Sequence, residues 1–401
     1  MKICIAGKND IACRVLRWAK REKNLDLCVV INQDDTGVNT WQDSLLREAE
    51  ELGVEVVALD ELYNLKDLIF ISVEFDKIIR PSKFKTRLLY NIHFSLLPKH
   101  RGVSTSIWAL LEGDENAGVT FHQIDKGIDT GDIVEQASFS IPKSYNARDL
   151  YFRLMAEGEL LVKKKIIALV SGQTRLATSK QDESLSSCHY RKDIDFSDVE
   201  SFIKWSPEGV INYLRAFDFF EYQEPTINGL KISNYSVSKN QSKSDPGSIN
   251  RVSYHQLILS TSEVDLDLEI SPYDDLFSWA CGNNLLPEGL DLTKVPDLDR
   301  CNIKGWNALI LACYHGNIVA VEALLDAGAN VNYLNRRKTT PLMYSRSSLN
   351  HKGGLKCFEA LLGRGADYRE SDVDGKKIDF YLRADKQFDF LKVLQNHIKQ
   401  I

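Results

Sequence analysis

The sequence predicts an α/β chain that ends in helical repeats. Three observations carry this. Short apolar runs alternate with amphipathic stretches over the first 170 residues. A polar, Ser-rich stretch at 173–190 precedes a smaller segment with both helical and strand-like patterning. From Ser271 onward, helices with glycine turns recur at a fixed period. The expected parts are a Rossmann-like α/β domain at 1–180, a small α+β segment at 185–270 and an all-α repeat domain at 271–401.

Composition narrows the class. At 401 residues the chain is too long for one ordinary domain, and 43% hydrophobic content supplies ample cores. The net charge is −6, so no basic surface invites nucleic acid. Eight Cys without CxxC pairs suggest free thiols in a reducing compartment, not disulfides or zinc. No signal-peptide pattern opens the chain, and no run approaches the ~18 apolar residues of a membrane span. A cytoplasmic protein without membrane partners is expected.

Lys2–Ala6 reads as a buried strand, Gly7–Asp10 as a turn and Ile11–Arg21 as a helix. Leu27–Ile31 reads as a second strand. Trp41–Leu52 fits a helix closed by Gly53. Val54–Leu59 and Leu68–Val73 are strand-like, so the alternation argues for a mostly parallel sheet flanked by helices. The turn at Gly7 has one glycine where a dinucleotide fingerprint needs three, which argues against NAD. Lys8 and Asn9 nonetheless sit at the carboxyl end of the first strand, where such sheets present ligands; a solvated turn is the alternative. Arg80-Pro81 marks a helix start, Tyr90–Phe94 a strand, Leu96–Gly102 a loop and Ser104–Glu112 a short helix. Gly118–Ile124 and Ile133–Ile141 alternate as strands around a glycine-rich loop, Asp125–Asp132. Ala147–Val170 is a long amphipathic helix. In the second segment Phe196–Ala216 looks helical with a start at Pro207, and strands at Ile227–Val237 and Val252–Leu259 flank the hairpin dipeptide Asn228-Gly229 and the turn Asp245–Gly247.

The repeats are explicit. Lys304–Ile310 matches Arg337–Met343, a shift of 33 residues from Leu309 to Leu342, the ankyrin period. Val321–Asn330 returns as Phe358–Asp367 with a shift of 37, so four extra residues are expected in Ser347–Gly354, between the two helices of the second repeat. Asp374–Ile378 opens a degenerate third repeat. Such repeats stack to bury their faces and commonly bind on the concave side.

The central stretch carries the chemistry. Asn91 and His93 share one face if the segment is extended. An Asn can donate to a developing oxyanion, and a His can shuttle a proton near neutrality. Asp129 lies between Gly127 and Gly131, which permit positive φ and close backbone approach. The acidic loop lacks the twelfth-position Glu of a calcium loop, so no metal is expected.

The residues Asn91-x-His93-x-Ser95-x-Leu97-Pro98, Arg101-Gly102 and Asp125-x-Gly127-x-Asp129-Thr130-Gly131-Asp132-Ile133 resemble the formyltransferase family. Arg215-Ala216-Phe217-Asp218 is similar to a short signature in that family's C-terminal subdomain. The opening Gly7-Lys8-Asn9 resembles the branch acting on nucleotide-linked amino sugars, and the ankyrin tail resembles that of dTDP-3-amino-3,6-dideoxyhexose N-formyltransferases.

The resemblance implies N10-formyltetrahydrofolate as co-substrate, a dTDP-amino sugar as acceptor, a homodimer, and a role in lipopolysaccharide O-antigen synthesis. It implies that Asn91 polarises the formyl oxygen, that His93 manages the amine proton, and that Asp129 orients His93 or accepts that proton. Lys8, Asn9, Lys77, Arg101 and Phe217 would bind the acceptor, though Lys77 reads equally as a surface lysine. Ile78, Ile79, Asp125, Gly127 and Asp132 would bind folate.

Three alternatives share these residues. A dTDP-4-amino sugar could be the acceptor, water could be, giving a formyltetrahydrofolate hydrolase, or transfer RNA could be. Residues 185–270 hold eight Lys and Arg against thirteen Asp and Glu, which argues against RNA. A non-enzymatic scaffold is a further class. Trp306 follows Gly305 where a small hydroxyl residue is usual, so an exposed indole beside Lys304 is expected. It would form a candidate second ligand site with Tyr273 or Tyr314; a packing or protein-interaction module is the alternative.

Overall fold

The computed structural model describes residues 1–21, 23, 25–172, 176–282 and 285–400, with no side-chain account of Asn240. The chain separates into two compact units. The first comprises Met1–Ile232, Val237–Ser248 and Leu259–Leu266, and the second Ser233–Ser236, Ile249–Ile258 and Asp267–Ile401.

The first unit is built on β1 (Lys2–Gly7), α1 (Asn9–Arg21), β2 (Leu27–Ile31), α2 (Leu45–Leu52), β3 (Glu55–Val56), β4 (Leu68–Val73), β5 (Leu89–His93), β6 (Arg101–Gly102), α3 (Thr105–Leu111), β7 (Asn116–Gln123), β8 (Ile133–Ser140), α4 (Ala147–Val170), β9 (Cys188–His189) and α5 (Pro207–Phe217). Seven strands form one sheet in the order β3-β2-β1-β4-β5-β7-β8. The first five are parallel, and β7 and β8 add antiparallel. β1 and β4 are buried nearly throughout because helices cover such a sheet. After β3 the chain returns to the other side of β1, so strand order reverses between β1 and β4. A crevice opens at the carboxyl ends of strands at such a reversal.

Local chemistry sets the boundaries. α2 starts later than Trp41, because the Ser44 hydroxyl caps it by accepting from Arg47 N–H; Gly53 closes it at φ 60. Trp41 instead packs edge-on against Phe219 and Tyr222. Arg80-Pro81 opens only a single tight turn, Pro81–Lys83. Of the expected linker, residues 173–175 lie outside the described residues. The rest is not free: β9 pairs with β6, and Ser179 bridges to Ile133.

A second sheet has five strands, β10 (Thr226–Ile227), β11 (Leu230–Gln241), β12 (Ile249–Arg251), β13 (Gln256–Ser260) and β14 (Val264–Ile270), in the order β10-β11-β14-β13-β12. Asn228 and Gly229 make the β10–β11 turn, both at positive φ.

The second unit continues with α6 (Tyr273–Cys281), α7 (Ala308–His315), α8 (Ile318–Asp326), α9 (Pro341–Arg346), α10 (His351–Gly363), α11 (Ile378–Ala384) and α12 (Phe388–Gln400) around one apolar core that includes Leu309, Leu342, Phe358 and Phe390. Each repeat opens on the same side-chain turn. Asn302 Oδ1 accepts from Lys304 and Trp306, Asn335 Oδ1 from Arg337 and Thr339, and Asp372 Oδ1 from Asp374 and Lys376. The four extra residues are not between the helices. The caps Asn317 and Asn350 keep the 33-residue spacing, and α10 has 13 residues against 9 in α8, one added turn.

Gly7 sits at φ 157, and a Cβ there would lie 1.7 Å from the Val73 carbonyl oxygen. Gly7→Ala must therefore push β1 and β4 apart, and urea denaturation should show a loss of about 1–3 kcal/mol, the usual range for overpacking.

Candidate active site

The crevice at the sheet's switch point is a cavity of about 650 Å³ whose lining includes Asn91, His93, His122 and Asp129. β5 supplies Asn91 and His93 from one face. Register places Ser72 of β4 and His122 of β7 on either side of Asn91. Asn91 Nδ2 donates to His122 Nε2 at 3.0 Å and to Asp129 Oδ1 at 3.2 Å. His122 Nδ1–H donates to the Gln123 carbonyl at 2.8 Å, which leaves its Nε2 as the acceptor.

His93 is 7% exposed. Its Nε2 lies 2.7 Å from the His100 carbonyl oxygen, which can only accept, so Nε2 carries the proton. Nδ1 lies 3.5 Å from Asp129 Oδ2, too far for a good hydrogen bond. Burial pushes the imidazole below its ordinary value, although Asp129 pulls the other way, so His93 is neutral at pH 7.

Asp129 reaches the site from a left-handed backbone, φ 53. Its Oδ2 accepts from Gly102 N–H at 2.9 Å. Burial would raise this carboxyl, but His93, His122 and the Gly102 amide override it and hold it well below the usual carboxylate range. The loop behind it is braced twice. Asp125 Oδ1 accepts from Gly127 N–H and the Thr130 hydroxyl, and Gln181 Nε2 donates to the carbonyls of Asp129 and Gly131.

The expected acceptor and folate residues divide. Lys8, Lys77, Ile78, Ile79, Asp125 and Gly127 line the cavity. Asn9 does not line the cavity but donates its amide to Glu74 and Tyr151, which do. Three do not fit their expected roles. The Arg101 guanidinium is taken up by Gln181 and Glu183, so it clamps the 176–190 segment and faces no ligand. Phe217 is fully buried against Phe202 and Tyr213. Asp132 points away from the cavity to Lys180.

At the other candidate site, Trp306 is half-buried between Tyr314 and Tyr344, with Lys304 Nζ 5.9 Å from its ring, so the indole is less exposed than its position suggested. Tyr273 does not join that group. It is 3% exposed, its hydroxyl accepts from Asp297 N–H, and Arg300 lies over its ring.

Sequence reading missed His122, Glu74 and Tyr151. His122 could have been found as the pairing partner of Asn91 across β5 and β7. Nothing local marks Glu74. It stands at φ 54 one residue beyond β4, beside Asn9 at φ 68 beyond β1. Two side-chain-bearing residues in left-handed conformation at neighbouring strand ends are the kind of strain that collects at ligand crevices. Glu74 accepts from Asn9 Nδ2 at 3.1 Å and from the Tyr151 hydroxyl at 2.9 Å. Burial raises its carboxyl to about 7 despite those donors.

Among the described residues one cluster, His100, Glu112 and His189, has metal-ligand chemistry. Its donors are already engaged: the two rings bond to each other and Glu112 binds Lys99. The eight Cys are all free thiols. Among the described residues no helix is long and apolar enough to cross a membrane.

A family model described as formyl transferase matches residues 39–166, and one described as ankyrin repeats matches 277–372. The methionyl-tRNA formyltransferase of Geobacter metallireducens is 27% identical over 286 residues, which is 67% of this chain and 90% of the relative. The solved structure of WlaRD, a sugar 3N-formyl transferase in the presence of dTDP and 5-N-formyl-THF, is 37% identical with a TM-score of 0.62, covering 67% of this chain and 97% of that one. The N-formyltransferase from Helicobacter canadensis, in complex with folinic acid and dTDP-3-aminofucose, is 36% identical with a TM-score of 0.62, covering 67% of this chain and 99% of that one.

The Glu74 carboxyl gives a signed expectation. Folded, it keeps its proton up to about 7, while an unfolded Glu loses it near 4.5. Between those values the folded chain holds the extra proton, so this residue makes stability fall as pH rises. Denaturation at pH 5 and pH 7.5 should show that Glu74→Gln removes this part of the slope.

Proposed function

The chain belongs to the formyltransferase family, and from that premise we propose that it transfers the formyl group of N10-formyltetrahydrofolate to the 3-amino group of a dTDP-linked amino-dideoxy sugar, with dTDP-3-amino-3,6-dideoxyglucose as the acceptor. One observation carries the reading. Two sugar N-formyltransferases whose structures hold dTDP-type and formyl-folate-type ligands share 36–37% identity with this chain over nearly their whole length. The cavity suits both substrates in kind. Ile78, Ile79, Ile92 and Ile124 offer apolar walls for a flat ring, and Lys77 offers positive charge for phosphates, with Lys8 nearby but paired to Asp34 at 2.8 Å. A formamido sugar activated as a nucleotide is a form that glycosyltransferases consume, consistent with O-antigen synthesis.

The chemistry follows from the three polar groups. The neutral sugar amine attacks the formyl carbon, a C–N bond forms, and the carbonyl electron pair moves onto oxygen. Asn91 turns one amide N–H from His122 or Asp129 to that oxygen, and a donor aimed at developing charge lowers the barrier. The surplus proton on the attacking nitrogen passes to the bare Nδ1 of His93. The Asp129 carboxylate, 3.5 Å away, stabilises the imidazolium. The bond from carbon to folate N10 then breaks, and His93 returns the proton to N10. Formamide and tetrahydrofolate leave, and no metal takes part in these steps. Glu74 and Tyr151, which accept from Asn9, form the wall toward the acceptor's ring substituents.

The acidic balance of 185–270 disfavours transfer RNA, despite the identity with methionyl-tRNA formyltransferases. Lys304, Trp306 and Tyr314 are proposed as a separate aromatic surface for a nucleotide base on the repeats, with Tyr344 in place of Tyr273.

Incubation of the full chain with formyl-folate and dTDP-linked 3-amino or 4-amino sugars, read by mass spectrometry, should give the formylated 3-amino product. Formate with no sugar product would mean a hydrolase, and a 4-amino product would move the acceptor assignment. His93→Asn and Asp129→Asn should each lower kcat by about 10²–10⁴-fold with the fold retained by circular dichroism; near-normal turnover in either would reject its role.

A further inference from the structure

We propose that Asp114, His100 and His189 form a positioning network that keeps the proton of His93 on Nε2, and thereby keeps Nδ1 bare as the base; this rests on the formyl-transfer reading above. A neutral imidazole has one proton and two nitrogens to hold it. A carboxylate attracts an N–H more strongly than a carbonyl does. Left to Asp129 alone, His93 would carry its proton on Nδ1 and would have no lone pair for the amine. The distances oppose that outcome: 2.7 Å from Nε2 to the His100 carbonyl, against 3.5 Å from Nδ1 to Asp129 Oδ2.

The His100 carbonyl is therefore decisive, and its position is not a default one. His100 has φ 56, a left-handed conformation that a non-glycine residue keeps only with support from its surroundings. The support is specific. His100 N–H donates to Ser187 Oγ at 2.8 Å. Its Nε2–H donates to Asp114 Oδ2 at 2.9 Å, which leaves Nδ1 to accept from His189 Nε2–H at 3.0 Å. The ring is 3% exposed, so these bonds are shielded from water.

His189 is held in turn. Trp108 stacks on it with centroids 4.1 Å apart and planes 10° from parallel, and its carbonyl accepts from Val103 N–H. Gly102 passes so close that a Cβ would lie 2.0 Å from the His189 oxygen. That same Gly102 donates its N–H to Asp129. The segment carrying Ser187 and His189 thus braces both partners of the His93–Asp129 pair.

The titratable groups facing His93 are Asp129, His122 and His100. Those around His100 are Asp114 and His189, with Lys99 joining Asp114 to Glu112. Neither Asp114 nor His100 lines the cavity, so their effect on the reaction passes through His93; His189 does line it, so for its variants the tautomer of His93, and not kcat alone, is the deciding readout.

The test reads the tautomer directly. Long-range ¹H–¹⁵N spectra of ¹⁵N-histidine-labelled full-length protein, with His93 assigned by its loss in His93→Asn, should show the proton on Nε2. In Asp114→Leu it should move wholly or partly to Nδ1. kcat should fall roughly 10–100-fold, with both KM values within about twofold, as expected when a proton-transfer group is impaired and not removed. Asp114→Asn keeps an acceptor for His100 Nε2–H and should restore both tautomer and kcat. If Asp114→Leu does not fold, His189→Leu against His189→Gln reads the same quantity, since Gln keeps a donor toward His100 Nδ1.

A wild-type His93 with its proton on Nδ1 overturns the proposal. So does a folded Leu variant whose kcat is unchanged, one whose kcat falls while the tautomer stays, or a failure of the Asn and Gln variants to rescue. Because the spectra are taken on the free protein, they decide this network even if the acceptor proves to be another amine.

Discussion

Everything at the crevice answers to one half-buried charge, the carboxylate of Asp129. An ionised carboxylate removed from water is tolerated only where donors and positive potential compensate it. Here the donors come from separate parts of the chain, the Gly102 amide and the Asn91 amide, and beside them stand the rings of His93 and His122, which add positive charge only when protonated. Each partner fixes a different element. Gly102 draws in β6, Asn91 and His93 require β5 at its observed register, and His122 requires β7 beside it. The antiparallel addition of β7 to an otherwise parallel sheet is thus the step that closes the site.

The same charge explains the behaviour of His93. A protonated His93 would pair with Asp129, and a neutral one must choose where its single proton goes. Burial holds the ring neutral, and the His100 carbonyl selects Nε2. The result is a ring whose free nitrogen faces a carboxylate at 3.5 Å without being bonded to it. In the repeats the recurring constraint is simpler: an Asn or Asp side chain closes the same backbone turn at residues 302, 335 and 372 and so spaces the helix pairs.

Much of this was legible from residue order. β2 and α4 fall at the expected residues, because apolar period and caps such as Asn146 are local signals. Asn91, His93 and Asp129 could be chosen because they stand in motifs that resemble a known family, with residue types and flanking glycines compatible with one chemistry. Arg101 and Phe217 could not be read correctly. Both sit in motifs, but a motif does not say whether a side chain faces the cavity or a neighbour: Arg101 meets Gln181 and Glu183, eighty residues onward, and Phe217 packs into an aromatic cluster. The 176–190 stretch read as a linker on its polar composition, yet its Ser187 and His189 bonds reach the loop beside the active site.

By itself, the sequence determined the helix and strand periods and the 33-residue repeat, because these depend on spacing along the chain, and its resemblance to a family singled out Asn91, His93 and Asp129, which the fold brings to one cavity. The tertiary structure alone decided which strand ends meet at the switch point, which nitrogen of His93 faces the His100 carbonyl, and that Glu74 is half-buried with a carboxyl raised to about 7. Those properties depend on burial and on partners distant in sequence, and electrostatic energies are set by what surrounds a group in space.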